Sequence, residues 1–287
     1  METVSRLGVV GCGLMGSGIA EVAALGGVDV LVAESSSDAA TAGRRRVEAS
    51  LDRGLRRGKI TEEARDGARS RLSYTADLKD MADRQFVIEA VAENRDLKAG
   101  VLRTLDQVVT DPEAVLATNT SSIPIVDLAV ATRRPTHVLG LHFFNPVPVQ
   151  ALVEIIPALT TSPDTVVRAR AFVSEALGKE VVEASDRSGF VVNALLVPYL
   201  LAAVRMVEAG AATAQDIDRG MELGCAHPMG PLRLLDLIGL DTAQAVAESM
   251  YEEFKEPLYA PPALLRRMVA AGRLGRKSGQ GFYDHAV

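Results

Sequence analysis

Apolar residues along this chain change spacing in a regular way, and the changes mark its elements. Leu7-Gly8-Val9-Val10 is a short apolar run that ends at glycines, and Met15 to Leu25 has helical composition. Gly26-Gly27 closes that helix, and Val28 to Ala33 gives a second run rich in β-branched residues that ends at the acidic Glu34. The pattern predicts a βαβ unit. From Ser37 to Arg71 the texture turns polar and Arg-rich, with Leu, Val and Ala at helical intervals, which predicts two helices in a hairpin turning near Gly58-Lys59. Strand-like runs recur at Phe86 to Ala90, Ala114 to Ala117 and Val138 to His142, with helical segments between them. This alternation predicts a mostly parallel sheet covered on both faces. Leu152 to Ile156 and Val181 to Glu183 flank a helix from about Asp164 to Leu177 and are expected to extend the same sheet.

No strand pattern follows Asp186. Helices are predicted over Phe190 to Ala209, Ala214 to Leu223, Leu232 to Phe254 and Pro262 to Ala271. The expected organisation is an α/β domain over 1–187, with the helical hairpin at about 37–71 inserted in it, and an all-α domain over 188–287. No internal repeat or low-complexity tract interrupts it. The most apolar stretch, Phe190 to Val204, is broken by Asn193 and Pro198 and is shorter than the roughly 20 residues of a bilayer span, so it is expected as a buried helix.

Composition narrows the function classes. A chain of 287 residues, 48% hydrophobic and 24% charged, suits a two-domain α/β protein. A formal charge of −6 argues against nucleic acid as a partner, because phosphate binding needs a clustered basic face. Two cysteines, Cys12 and Cys225, form neither a disulfide framework nor a metal motif, and no His/Cys/Asp spacing suggests a metal site. With no signal-peptide pattern at Met1 to Arg6, the expected location is the cytoplasm and the expected partner a small molecule.

Gly11-Cys12-Gly13-Leu14-Met15-Gly16 is a GxGxxG between a strand and a helix, with the acidic Glu34 about twenty positions later. In that context it predicts a dinucleotide site in a Rossmann-like, doubly wound sheet. Glycines allow a tight turn and close backbone approach, and the helix N-terminus offers N–H groups to a pyrophosphate. Glu34 would accept from the adenosine ribose and repel a 2′-phosphate, and Ser35-Ser36-Ser37 brings no arginine, so NAD is expected rather than NADP.

His142 falls at the C-terminal end of its strand, where open α/β sheets bind ligands. The next strand carries Glu154 among Leu152, Val153, Ile155 and Ile156, an apolar setting in which a carboxylate needs a partner. A His–Glu pair satisfies both and supplies the oriented base that alcohol oxidation requires. Thr118 to Ser122, at the same sheet edge, serve either as helix caps or as holders of a substrate oxygen or nicotinamide. Asn193 is a buried-amide candidate whose partner is either a substrate oxygen or a backbone carbonyl. His137 and His285 are expected to face solvent and His227 to be structural. The basic run Arg44 to Lys59 is either a solvated helix face or a pad for an anionic group such as the phosphates of coenzyme A.

Further segments give the chain a resemblance from end to end. With the glycine loop go Val87 to Asn94, Asn119 to Ser122, His142 to Pro146, Leu152 to Glu154, Gly189 to Asn193, His227 to Pro231 and Gly275 to Tyr283. Together they resemble the 3-hydroxyacyl-CoA dehydrogenase family. The resemblance implies His142 as catalytic base, Glu154 as its electrostatic partner, and Ser121 and Asn193 as hydrogen-bonding groups for the reacting substrate. It implies NAD contacts at Gly11, Gly13, Leu14, Met15, Gly16, Glu34, Glu93, Lys98, Ser121, Asn145 and Lys277. Ser50 and Arg57 match positions that touch coenzyme A, which favours the pad reading of the hairpin. A homodimer formed through the helical domain, and an acyl-CoA substrate such as 3-hydroxybutyryl-CoA, are implied in the same way. Relatives acting on a carrier-protein thioester or a sugar acid, and non-catalytic NAD-binding relatives, are the alternatives. Three positions depart from the family pattern: Glu34 stands for Asp, Ser188 for a proline, which is expected to loosen the hinge, and Gln150-Ala151 for a Met-Lys pair.

Overall fold

The computed structural model describes residues 3–285. The chain divides into two compact units, Met1–Asp186 and Arg187–Val287.

In the first unit, β1 (Arg6–Val10), α1 (Leu14–Leu25) and β2 (Asp29–Ala33) form the βαβ start, and the hairpin follows as α2 (Ser37–Arg56) and α3 (Glu62–Ser70). Ser36 and Thr61 cap those two helices with their hydroxyls, accepting from the N–H groups of Ala39 and Ala64. Next come β3 (Leu72–Thr75), β4 (Phe86–Glu89), α4 (Arg95–Val108), β5 (Val115–Thr118), α5 (Ile125–Ala129), β6 (Val138–Phe143), β7 (Leu152–Pro157), α6 (Pro163–Ala171) and β8 (Glu180–Glu183).

The eight strands make one sheet in the order β3-β2-β1-β4-β5-β6-β7-β8. β6 and β7 pair antiparallel and every other neighbouring pair is parallel. The order reverses between β1 and β4, the switch point at which doubly wound sheets open a ligand crevice. Leu7, Val9, Phe86, Ile88, Val115, Ala117, Leu139, Leu141, Val153 and Ile155 alternate along their strands and pack on one face with Ile19 and Ala23 of α1. The intervening residues Val87, Leu116 and Gly140 point to the opposite face, where a Cβ on Gly140 would meet Ile125 of α5 at 2.7 Å. Burial on both faces explains the unbroken apolar runs of the sequence.

Two features depart from expectation here. β3 was not anticipated: Leu72-Ser73-Tyr74-Thr75 is a four-residue edge strand with no β-branched run and no fully buried position. The helix expected over Asp164 to Leu177 is α-helical to Ala171 and continues from Phe172 to Ala176 as a π-helical turn, with Phe172 stacked on Phe86 at 4.7 Å.

The second unit is helical: α7 (Val192–Glu208), α8 (Ala214–Gly224), α9 (Pro231–Ile238), α10 (Leu240–Phe254) and α11 (Ala263–Ala270). Val197, Leu201, Leu232, Leu235, Ala247 and Leu265 belong to its core. The single helix expected over Leu232 to Phe254 is broken at Gly239, whose φ of 103° no helix accommodates. Ser188 is tied to α10. Its N–H donates to Glu253 at 2.8 Å and its hydroxyl lies 3.1 Å from that of Ser249, and the N–H bond is one a proline cannot make.

Candidate active site

The glycine loop closes because its glycines are required. Gly11 has φ +90°, and a Cβ on Gly16 would lie 1.8 Å from the Gly11 carbonyl oxygen. Gly13 caps α1 without any side-chain hydrogen bond, and a Cβ there would project into open space. Backbone N–H groups at this helix start are therefore presented to the crevice. A cavity of ≈ 470 Å³ opens beside the loop, with Gly11, Gly13, Glu34, Ala92 and Leu97 among its walls. Glu34 Oε1 accepts from the Cys12 N–H at 2.5 Å and its Oε2 from the Ser35 N–H at 3.2 Å. Leu14 and Met15 begin α1 directly after the loop.

Sequence reasoning missed an arginine at this rim. Arg46 of α2 donates to the Cys12 carbonyl, arriving from a helix rather than from the segment that follows β2. Burial, followed by the Glu34 charge, pushes the Cys12 thiol up to about 12, so this cysteine is a packed neutral group.

The second cluster gathers at the C-terminal ends of β4, β5 and β6. His142 and Glu154 are direct cross-strand partners in the antiparallel β6–β7 register. His142 Nδ1 lies 2.7 Å from Glu154 Oε2, and Ser121 Oγ lies 3.0 Å from His142 Nε2. Glu154 is fully buried and His142 is 5% exposed. A carboxylate only accepts, so Nδ1 carries the proton and Nε2 of the neutral imidazole accepts from the Ser121 hydroxyl. Glu154, His142 and Ser121 thus form one line from the sheet interior toward the strand ends. Such a line holds a base in one tautomer and stabilises it once protonated.

Ser121 is held in turn by Glu93, which accepts from the Ser121 N–H at 3.0 Å, from the Ser122 hydroxyl at 3.1 Å and from the Thr120 hydroxyl. Asn119 Oδ1 accepts from the N–H of Phe143, the residue after the histidine, at 3.1 Å. Asp186 takes the N–H groups of Ile125 and Val126 at 2.7 and 2.8 Å, fixing the helix that follows the Ser121 loop.

Lys98, a cofactor contact on the resemblance, is also held by protein groups. The residue is fully buried, and its ammonium donates to both oxygens of Glu89, at 2.9 and 3.1 Å, and to the carbonyls of Asn119 and Val91, at 3.1 and 3.3 Å. Glu89, also fully buried, was not singled out from sequence, although it ends the apolar run Phe86-Val87-Ile88 much as Glu154 sits within its own. Desolvation raises its carboxyl above the ordinary range, against the Lys98 charge and the Thr118 hydroxyl bonded to it at 2.6 Å.

Other expected site residues stand apart from these two clusters. Ser50 and Arg57 lie seven residues apart at the end of α2, Arg57 exposed and the Ser50 side chain hydrogen-bonded to the buried Glu21 of α1. Asn145 is exposed and precedes a cis peptide to Pro146. In the second unit, Asn193 occupies the first turn of α7 and is half-buried rather than buried, and Lys277 pairs with Asp241. His285 was expected in solvent but lies 2.8 Å from buried Asp236, and His137 is half-buried beside Glu113 at 3.4 Å. The His227 ring lies 3.1 Å from the Tyr199 hydroxyl. Among the described residues no cluster of three or more His, Cys, Asp or Glu is arranged for a metal, and no helix is long and apolar enough to cross a membrane.

Comparison with known proteins agrees with this geometry. Residues 6–187 match the 3-hydroxyacyl-CoA dehydrogenase NAD-binding domain, and residues 189–285 match the C-terminal domain of the same family. A 3-hydroxybutyryl-CoA dehydrogenase of Mycobacterium tuberculosis is 58% identical over 284 residues, covering 99% of each chain. The crystal structure of M. tuberculosis FadB2 superposes with a TM-score of 0.98 at 58% identity, over 99% of this chain and 100% of that one. That of an (S)-3-hydroxybutyryl-CoA dehydrogenase from Ralstonia eutropha gives 0.94 at 44% identity, over 99% and 100%. On the strength of two family domains that together span nearly its whole length, the chain belongs to the 3-hydroxyacyl-CoA dehydrogenase family.

Proposed function

We propose that this protein interconverts (S)-3-hydroxybutyryl-CoA and acetoacetyl-CoA with NAD, and that His142 is its acid/base. The single observation that carries this reading is the line Glu154–His142–Ser121, with contacts of 2.7 and 3.0 Å, at the C-terminal edge of a dinucleotide-binding sheet. Its cofactor follows from the family domain over residues 6–187. The loop fits that group: an uncapped helix N-terminus, a Gly13 open to the crevice and a carboxylate at its rim suit a pyrophosphate and a ribose hydroxyl. Gly11, Gly13, Leu14, Met15, Gly16 and Glu34 would hold it, with Glu93, Ser121 and Asn145; Lys277 is assigned on the resemblance alone. When bound, NAD supplies the hydride acceptor for the alcohol and, reduced, the donor for the ketone.

The protein's own groups handle the proton. In oxidation, Nε2 of neutral His142 takes the substrate hydroxyl proton, and in reduction the imidazolium returns it to the carbonyl oxygen. Glu154 stabilises that imidazolium and fixes the ring through Nδ1. Ser121 has a single hydroxyl proton; turning it from Nε2 toward the substrate oxygen holds that oxygen and frees Nε2 for the substrate proton. Asn193, on the resemblance, binds the same substrate, and Ser50 and Arg57 bind its coenzyme A end. The two domains are assigned as cofactor-binding and as substrate-binding and dimer-forming. A homodimer is supported by the apolar Leu195 and Leu223, 75% and 74% exposed on the helical unit. A cytoplasmic location accords with a buried free cysteine and a soluble acyl-CoA substrate.

Purified protein mixed with acetoacetyl-CoA and NADH tests the reading. Rapid loss of NADH absorbance with stoichiometric formation of 3-hydroxybutyryl-CoA is the expected result. Near-zero turnover on this substrate, with activity on a carrier-protein thioester or a sugar acid, overturns it.

A further inference from the structure

We infer that Lys179 is a positioning residue for the reaction: it holds the turn between β6 and β7 and so sets Phe144 and Asn145 relative to His142 and the glycine loop. The inference rests on the dehydrogenase reading above. Lys179 follows Gly178, whose φ of +62° lets the chain leave the π-helical turn, and it directly precedes β8. It is buried, and its ammonium donates to the carbonyls of Val147 at 2.8 Å and Gln150 at 2.6 Å. No carboxylate among the described residues pairs with it, and burial alone pushes it below the ordinary lysine range. A buried ammonium without a counter-ion costs free energy that a methionine of similar length would not. What a lysine adds at this place is its N–H donors.

Those donors complete a turn that stands beside both halves of the site. The Pro146 carbonyl accepts from the N–H groups of Val149 and Gln150 at 2.9 and 3.0 Å, and the carbonyls of Val147 and Gln150 are left for Lys179. α1, which begins at the glycine loop, touches the same turn. A Cβ on Gly18 would meet Val147 Cβ at 2.8 Å and Pro148 Cδ at 3.4 Å. Immediately before the turn come Asn145, a cofactor contact on the resemblance, and Phe144, whose ring packs edge-on to His142 with centroids 4.6 Å apart. Lys179 is itself fixed. Its N–H donates to the Val173 carbonyl at 3.2 Å, and the N–H of Glu180 donates to the Ala151 carbonyl at 2.8 Å, where the β7–β8 ladder starts. The lysine therefore passes the rigidity of β8 to a connection whose other contact is the cofactor-binding helix. Displacement of a reacting group by about 1 Å can lower turnover on the order of 10²-fold.

A double-mutant cycle between Lys179 and Asn145 tests the inference, read by steady-state kinetics with NADH and acetoacetyl-CoA and by the urea midpoint. Lys179→Met is expected to lower kcat/KM for NADH by about tenfold or more. The KM for acetoacetyl-CoA should move by less than about threefold, because the groups assigned to coenzyme A are untouched. Once Asn145→Ala is in place, Lys179→Met should cost less than it does alone, since the lysine acts partly through that residue.

A second variant, Gly18→Ala, presses on Val147 from α1 with the lysine intact and should give the same split between the two substrates. If Lys179→Met does not fold, Gly18→Ala takes its place in the cycle with Asn145→Ala. Three results overturn the inference: a lowered urea midpoint with the original kcat/KM for NADH, losses that multiply across the cycle, or Gly18→Ala with unchanged kinetics. Failure of the dehydrogenase reading itself shows differently, as absence of turnover in the unsubstituted protein.

Discussion

The two halves of the sheet's C-terminal edge are built on opposite principles. At the ends of β4, β5, β6 and β7, two pairs of ionisable groups are withdrawn from solvent: Glu89 with Lys98, and Glu154 with His142. At the ends of β1 and β2, the glycine loop and Glu34 border an open cavity. The difference follows from what each must do. Proton transfer requires groups held in one geometry in a weakly screening interior. Capture of an anionic cofactor or coenzyme requires N–H groups, carboxylates and cations that remain free to bind. The comparison ranks the effects of substitution, which should be large and hard to compensate on the first side and modest on the second.

His142→Ala should give the largest effect. General acid–base catalysis is worth about 10²–10⁴ in rate, and kcat should fall by that order while NADH affinity is nearly unchanged. Turnover close to that of the unsubstituted protein would break the comparison at its centre. Glu154→Gln keeps the side-chain shape but removes the charge that stabilises the imidazolium, so kcat should fall while NADH affinity is nearly unchanged. His142→Ala and Glu154→Gln should also combine to less than the product of their separate losses.

Lys98→Met follows, with a cost of about 3–5 kcal/mol in stability, the usual consequence of stranding one partner of a buried pair. Its pH dependence has a defined sign. Burial already holds the Glu89 carboxyl above the ordinary carboxylate range, and the Lys98 charge is the largest influence pulling it down. Removing Lys98 raises it further. A raised carboxyl favours folding at low pH and loses that advantage as pH rises toward its folded value. The deficit in urea midpoint should therefore shrink as pH falls from about 8 to about 5. A pH-independent deficit would mean that Glu89 gains no proton when its partner is lost.

The sequence discloses the two sides unequally, for physical reasons. His142 and Glu154 are legible because a carboxylate in an apolar strand demands a partner, and a strand-end histidine is the nearest candidate. Glu89 carried the same signal at the end of Phe86-Val87-Ile88, yet its counter-ion sits on the next helix, where a lysine resembles a surface residue until packing buries it. Arg46 was hidden likewise: its reach to the Cys12 carbonyl depends on how α2 lies against the loop. In the fold, β1, β2 and β4 to β8 showed themselves by apolar runs and the hairpin by its charge and the helical spacing of its Leu, Val and Ala. β3 did not, because half-buried edge residues need no apolar pattern. The break at Gly239 was invisible because one glycine is tolerated in a helix and its φ is set by context.

On the open side, Glu34→Ala should show a smaller effect. A hydrogen bond to a charged group contributes about 1.5–3 kcal/mol, so NAD affinity should weaken by roughly tenfold or more. The preference over NADP should narrow at the same time, and Arg46 beside the loop is placed to welcome a 2′-phosphate once the carboxylate is gone. Unchanged discrimination in coupled NADH and NADPH titrations would show that Glu34 serves only the Cys12 and Ser35 N–H groups it already binds.

Arg57→Ala should give the smallest effect. The residue is the exposed C-cap of α2. An exposed ion pair contributes about 0.2–1 kcal/mol, which limits the rise in KM for acetoacetyl-CoA to roughly fivefold at most. Three properties distinguish a phosphate contact from a solvated helix face. The effect should appear in KM and leave kcat unchanged, because the contact lies far along the substrate from the reacting carbon and is equal in ground and transition states. It should vanish with a truncated thioester that lacks the nucleotide, and it should fade as ionic strength rises and the Debye length falls below about 8 Å. Equal KM changes on the full and truncated substrates would return Arg57 to the solvated face of α2 and leave the coenzyme's phosphates to other residues of the hairpin.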